Sequence, residues 1–172
     1  MTLQEKARVF ALAAHTAIGQ KRKYSGEHYI VHPERVARTV AKFGGTEEMI
    51  AAAYLHDILE DTQIEETFIF AEFGPEVCDL VVELTDVSKP EDGNRATRKG
   101  IDADRLGKVS EQAQIIKLAD LLDNSEDILA NDPSFAKVFL KEKENILDKM
   151  TKVKDHPLVE QVKAFTSAKN PD

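Results

Sequence analysis

Apolar residues recur at helical spacing along almost the whole of this chain of 172 residues. The first stripe, in steps of three or four residues on one helix face, comprises Leu3, Ala7, Phe10, Ala14 and Ala17. Similar spacing predicts helices at about 33–43, from 47 into the segment 51–62, and at 64–72, 75–86, 95–106, 112–124, 135–150 and 158–165. No segment alternates apolar and polar residues between hairpin turns. We therefore expect an all-α fold, a compact helical bundle in a single domain spanning residues 1–172.

Charge and cysteine content exclude several classes of protein. The net charge of −8 makes general nucleic-acid binding a poor prediction, because such binding depends on neutralising phosphates. No window reaches the roughly 20 apolar residues that a membrane span needs, and Glu5 lies where a signal peptide would have apolar residues. Cys78 is the only cysteine, which indicates a buried, reduced thiol. We expect a cytoplasmic protein without nucleic-acid or membrane partners; its oligomeric state is not indicated.

The segment AAAYLHDILEDT, residues 51–62, begins as a buried helix and ends in ionisable groups. His56 and Asp57 are followed one turn later by Glu60 and Asp61, so the four groups form two short stripes at one helix end. Buried carboxylates are costly unless they are paired or bind a metal. Imidazole with carboxylate suits Mn²⁺, Fe²⁺ or Zn²⁺. Alone, however, an HD dipeptide is more often structural or a helix cap.

Two further segments strengthen the metal interpretation. His32 precedes a proline in YIVHP, and Asp120 lies among apolar residues in IIKLADLLDN, with Asn124 one turn later on the same stripe. A lone aspartate in that setting needs a partner, either a basic residue or a metal. Together with His56 and Asp57, these residues would supply two imidazoles and two carboxylates from three helices, leaving positions open for water and substrate.

The order H…HD…D resembles that of the HD-domain metal-dependent phosphohydrolases. Longer phrases resemble the hydrolase domain of RelA/SpoT-type stringent-response proteins and stand-alone small alarmone hydrolases of the metazoan SpoT homologue type. These phrases, in order between about residues 10 and 130, are GQKRKYSGEHYIVHP, AAAYLHDILEDT, EFGPEV and IIKLADLLDN. The resemblance implies an HD-type domain that uses Mn²⁺ to remove the 3′-pyrophosphate of guanosine tetraphosphate (ppGpp) or pentaphosphate, giving GDP or GTP and pyrophosphate.

The resemblance also implies roles for particular residues. The metal ligands would be His32, His56, Asp57 and Asp120. The acidic pair that positions or activates the attacking water would be Glu60 and Asp61. The substrate contacts would be Arg22 or Lys23 on the guanine, with Ser25, Tyr29 and Asn124 elsewhere in the pocket. We favour Arg22 over Lys23 because a guanidinium both stacks on a purine and holds phosphate.

The chemistry of these groups fits the implied reaction. A divalent ion lowers the pKa of its bound water and neutralises charge on the phosphate under attack. Glu60 or Asp61 could then accept the proton, since a carboxylate beside other carboxylates has a raised pKa. We treat His15, near the end of the first helix, as structural.

Departures from the family pattern leave the substrate open. His28 replaces a usual proline, and Leu121, Leu122 and Asp123 replace Arg-Leu-His after KLAD. Alternative substrates are the adenosine analogue of ppGpp, the 2′-phosphate of NADPH, or a nucleoside monophosphate. A non-catalytic nucleotide sensor is a further alternative, although it would gain little from Glu60 and Asp61. A purely structural helical protein would have to explain a buried Asp120 without a partner.

Overall fold

In the computed structural model, which describes residues 1–166, every regular element is a helix. The described backbone also contains one isolated antiparallel bridge, between Lys21 and His28. The all-α class predicted from the spacing is confirmed. None of the described helices is both long and apolar enough to cross a membrane. The chain divides into two compact units, Met1–Thr85 and Asp86–Asp172, and the single domain predicted for residues 1–172 stays a prediction.

Local signals define the helices of the first unit. They are α1 (Leu3–Ala17), α2 (Val31–Lys42), α3 (Glu47–Leu55), α4 (Ile58–Asp61), α5 (Glu66–Phe73) and α6 (Pro75–Leu84). Thr2 and Glu5 form a reciprocal capping box at the start of α1. Gly74, at a φ of 86°, ends α5, and Pro75 begins α6 at once. The second helix begins two residues before the predicted Pro33, because the first backbone N–H groups of a helix need no helical acceptor.

Helix α3 forms the centre of the first unit. It packs against α1, α2 and α6, and Ala51, Ala52, Ala53 and Leu55 are all 0% exposed. Three consecutive alanines allow the neighbouring helices to approach closely on every side. The end of α3, where His56 follows, is therefore fixed by packing.

The buried face of α1 shares only Ala7 with the predicted stripe. The buried residues of this helix are Ala7, Ala11 and His15, whereas the predicted Ala17 is exposed. The inward-facing row therefore includes a histidine, and its ring is 1% exposed.

The described part of the second unit contains four helices and two short 3₁₀ turns. The helices are α7 (Arg95–Leu106), α8 (Glu111–Asn131), α9 (Pro133–Lys149) and α10 (Pro157–Lys163); the turns are Pro90–Asp92 and Thr151–Val153. Helix α8 extends seven residues beyond the predicted end at 124, because Leu129 continues the buried face and no breaker precedes Pro133. Helix α10 ends before Phe165, which was predicted to share its apolar stripe.

A buried lysine closes the end of α10. Lys143 of α9 is 4% exposed, and its Nζ donates to the carbonyls of Val162 at 2.8 Å and Phe165 at 2.6 Å. Burial lowers the pKa of the Lys143 ammonium. The lysine thus provides donors for two carbonyls at and just beyond the C-terminal end of α10, where regular helical hydrogen bonding ends.

Candidate metal centre

The HD segment is a turn between two helices and not part of one continuous helix. Helix α3 ends at Leu55 and α4 begins at Ile58, with Asp57 at φ −100° and ψ 0° between them. The prediction that His56, Asp57, Glu60 and Asp61 lie at the end of one helix is therefore wrong. On a regular helix adjacent side chains point about 100° apart, but here His56 Nε2 lies 3.1 Å from Asp57 Oδ2. The turn brings two adjacent polar groups to one point.

His32 joins this pair from the start of α2. Its Nε2 lies 3.7 Å from Asp57 Oδ2, and its ring centroid lies 5.2 Å from that of His56. One ligand atom from each of the three residues lies within 4.8 Å of the others. The two imidazoles are 2% and 4% exposed. Among the described residues, His32, His56 and Asp57 thus converge as a metal-binding group would; we call them the HHD cluster.

Hydrogen bonds outside the HHD cluster orient its members. His56 Nδ1 lies 2.7 Å from the carbonyl of Ala53, so this nitrogen carries the proton and the neutral ring has its lone pair on Nε2. The Tyr29 hydroxyl donates to Asp57 Oδ2 at 2.5 Å. Metal-binding imidazoles and carboxylates are oriented by such outer partners. Two imidazole nitrogens and one carboxylate therefore fit a first-row divalent cation.

Asp120, the fourth predicted ligand, belongs to the second unit. It lies on α8, is 5% exposed, and accepts hydrogen bonds from Lys117 Nζ at 2.7 Å and Asn124 Nδ2 at 3.0 Å. The sequence predicts that a buried Asp120 needs either a basic residue or a metal as its partner, and Lys117 is such a basic residue. Its role as a metal ligand, and that of Asn124 as a substrate contact, stay predictions.

The predicted acidic pair forms the last two residues of α4. Both Glu60 and Asp61 reach solvent, and Asp61 Oδ2 accepts a hydrogen bond from Gln20 Nε2 at 3.0 Å. Desolvation by surrounding atoms raises the pKa of the Asp61 carboxyl, and the charge of Asp57 raises it further, while the Gln20 hydrogen bond opposes the rise. Asp61 therefore accepts a hydrogen bond from Gln20, and its pKa depends on the charge of Asp57 in the HHD cluster.

The loop between α1 and α2 carries the predicted substrate contacts. The backbone N–H of Arg22 donates to the carbonyl of Glu27 at 2.8 Å, and the N–H of Gly26 donates to the carbonyl of Arg22 at 3.0 Å. Ser25 Oγ accepts from the N–H of Glu27 at 3.2 Å, while Lys23 Nζ lies 5.3 Å above the Tyr24 ring. The loop is therefore held by its own backbone, and the roles of its side chains toward a substrate stay predictions.

Sequence reasoning did not single out Gln20, which links the first helix to the acidic pair. His28, which replaces the usual proline of the family, is exposed and is not one of the residues of the HHD cluster. Tyr29 was predicted as a pocket residue, and its hydroxyl contacts Asp57. The sequence could have pointed to Gln20 only by its position, because Gln20 and Tyr29 flank the loop within the phrase GQKRKYSGEHYIVHP that resembles the family.

Comparisons with known proteins agree with the geometry. The HD domain family matches residues 7–150. The chain is 35% identical over 119 residues to the probable guanosine-3′,5′-bis(diphosphate) 3′-pyrophosphohydrolase of Mycoplasma pneumoniae, which covers 64% of this chain and 16% of that protein. It is 41% identical over 88 residues to guanosine-3′,5′-bis(diphosphate) 3′-pyrophosphohydrolase MESH1 of Drosophila melanogaster, which covers 51% of this chain and 48% of that protein.

A solved structure gives a fuller match. It belongs to a metazoan ortholog of SpoT that hydrolyses ppGpp and plays a role in starvation responses. The match has a TM-score of 0.83 at 26% identity and covers 96% of this chain and 94% of that one. The curated relatives described above are matched over less than half of their own length, 16% and 48%. The chain belongs to the HD domain family, and the resemblance indicated by its motifs is confirmed.

Proposed function

We propose that this protein hydrolyses the 3′-pyrophosphate of guanosine tetraphosphate or pentaphosphate, releasing pyrophosphate and GDP or GTP. The observation that carries the proposal is the convergence of His32, His56 and Asp57 within 4.8 Å on a chain whose relatives are named for this reaction. The protein would act in the cytoplasm, with a small nucleotide as its partner.

The HHD cluster would hold the metal ion, which we propose is Mn²⁺. The ion would bind through Nε2 of both histidines and the Asp57 carboxylate, with Asp120 as a fourth ligand. When bound, such an ion activates water and neutralises charge on a phosphate. Tyr29 and the carbonyl of Ala53 would keep Asp57 and His56 oriented, as their hydrogen bonds of 2.5 and 2.7 Å suggest.

Glu60 and Asp61 would serve the attacking water. Its oxygen forms a bond to the phosphorus attached to the 3′ oxygen, and one carboxylate accepts the proton that the water loses. The bond between that phosphorus and the 3′ oxygen breaks, and the 3′ oxygen takes a proton from a solvent water to become the hydroxyl of the product, while the carboxylate returns its proton to solvent. Pyrophosphate is the other product.

The loop of residues 21–28 would recognise the nucleotide. Arg22 would stack on the guanine, with Lys23, Ser25 and Asn124 as further contacts. A guanidinium suits this task because it combines a planar face with donors for phosphate. Lys21, Arg22 and Lys23 place three positive charges on this loop, whereas the chain as a whole has a net charge of −8.

A nucleotide panel tests the proposal. Purified protein is incubated with ppGpp, its adenosine analogue, NADPH and nucleoside monophosphates, each with Mn²⁺ and with a chelator, and the released phosphates are identified. The proposal predicts Mn²⁺-dependent pyrophosphate from ppGpp. Orthophosphate from NADPH or from a monophosphate would move the substrate assignment to the alternatives, and binding without release would indicate a sensor.

A further inference from the structure

A chain of hydrogen bonds connects a buried histidine to the acidic pair. His15 Nδ1 lies 2.8 Å from Gln20 Oε1, and Gln20 Nε2 donates to Asp61 Oδ2 at 3.0 Å. This series of hydrogen bonds begins in α1, passes through the loop that follows it, and ends at the last residue of α4. It therefore couples the core of the first unit to a carboxylate that reaches solvent.

The polarity of this chain follows from its last member. An ionised carboxylate only accepts hydrogen bonds, so the amide nitrogen of Gln20 must face Asp61 and its oxygen must face His15. His15 Nδ1 must then carry a proton and donate to that oxygen. His15 Nε2 is buried and has no hydrogen-bond partner among the described residues, which favours a neutral ring because a second N–H there would be buried without an acceptor. The arrangement thus specifies the Nδ1–H tautomer.

The same histidine supports the HHD cluster by a separate contact. Its ring packs against that of Tyr29 with centroids 4.6 Å apart, and the Tyr29 hydroxyl donates to Asp57. This second contact needs only an aromatic ring, whereas the contact with Gln20 needs the Nδ1–H donor. His15→Phe therefore separates the two contacts, because it keeps the ring and removes the donor.

We propose that Gln20 and His15 are positioning residues for Asp61. Gln20 occupies Oδ2 and so holds the carboxylate in one orientation, with Oδ1 left for the attacking water, and His15 holds Gln20. Asp61 needs such support because it ends a helix of four residues and its successor, Thr62, is already extended. This inference rests on the proposed function, in which Asp61 serves the water.

Substitutions at both positions test the idea by steady-state kinetics with ppGpp and Mn²⁺. Gln20→Met keeps the length of the side chain but removes both hydrogen bonds, and it is expected to lower kcat about tenfold or more with KM within about twofold. His15→Phe is expected to lower kcat by a smaller factor. Since His15 acts through Gln20, adding His15→Phe to Gln20→Met should change kcat by less than about twofold. Gln161→Met, at an exposed position of α10, is the matched control.

The tautomer of His15 provides a readout that does not depend on activity. Long-range ¹H–¹⁵N correlation spectra of the wild type should show a protonated Nδ1 and an unprotonated Nε2, and an Nε2–H tautomer would overturn the arrangement. Wild-type turnover with a kcat for Gln20→Met within twofold would overturn the positioning role alone, as would fully multiplicative effects of the two substitutions. Absence of wild-type hydrolysis would overturn the proposed function, and the positioning role with it. If His15→Phe fails to fold, Gln20→Met, at a half-buried position, still tests the positioning role.

Discussion

Replacing Tyr29 by Phe distinguishes support of the metal cluster from contact with the substrate. The phenol donates to Asp57 Oδ2 at 2.5 Å, and a hydrogen bond to a charged group contributes about 1.5–3 kcal/mol. About 1.4 kcal/mol corresponds to a tenfold change in a dissociation constant. If the bond serves to orient the carboxylate for the cation, Tyr29→Phe should weaken Mn²⁺ binding about 10- to 100-fold.

The assay is calorimetric titration of Mn²⁺ into wild-type protein and into the variant without nucleotide, so that substrate contacts do not enter. Tyr54→Phe is the control. Its phenol is half-buried on α3, and its pKa is raised mainly by burial and by the charge of Glu34, which is not part of the HHD cluster. That variant should bind Mn²⁺ as the wild type does. A Kd for Tyr29→Phe within twofold of wild type would refute the reasoning. An unchanged Kd together with a raised KM for ppGpp would support the substrate contact expected from the sequence.

Three further predictions concern Glu60 and the buried Lys143. Glu60→Gln is expected to abolish turnover while leaving nucleotide binding intact, and surviving activity would move the proton acceptor to Asp61. Lys143→Met leaves the carbonyls of Val162 and Phe165 without their donor; it should lower the free energy of unfolding in urea by about 1–3 kcal/mol, whereas Lys141→Met at an exposed position should not. Because burial lowers the pKa of Lys143 below its ordinary 10.5, the unfolded chain binds the proton more tightly. The stability of the wild type relative to Lys143→Met should therefore rise with pH up to about 10.5; a flat or falling difference in urea melts would contradict this.

The helices and the HHD cluster illustrate what sequence can predict. The apolar spacing that predicts each helix is a local property of the sequence, so the all-α class follows from it. The cluster follows from a different kind of information. The buried His32 and His56 and the half-buried Asp57 all need polar or metal partners, and one shared metal site meets that need. The family resemblance adds their order along the chain.

The remaining features depend on tertiary contacts. The turn at His56 and Asp57 has no glycine or proline to signal it, and it depends on the packing of α3 against α1, α2 and α6 and of α4 against α1. His15 and Lys143 occupy core stripes where an apolar residue is expected, and each is accommodated by hydrogen-bond partners outside its own helix, Gln20 for His15 and the carbonyls of Val162 and Phe165 for Lys143. Nothing in the sequence distinguishes Gln20, because its role depends on the fold bringing His15 and Asp61 to its two amide atoms.

The most direct test of the central claim is pyrophosphate release from ppGpp by wild type and by Asp57→Asn, measured as Mn²⁺ is added to metal-free protein. Wild-type protein should release one pyrophosphate per ppGpp consumed, only when Mn²⁺ is present, and Asp57→Asn should release almost none. Release that is unaffected by chelator, or by loss of the Asp57 carboxylate, would contradict the assignment of the HHD cluster as the metal centre of a hydrolase.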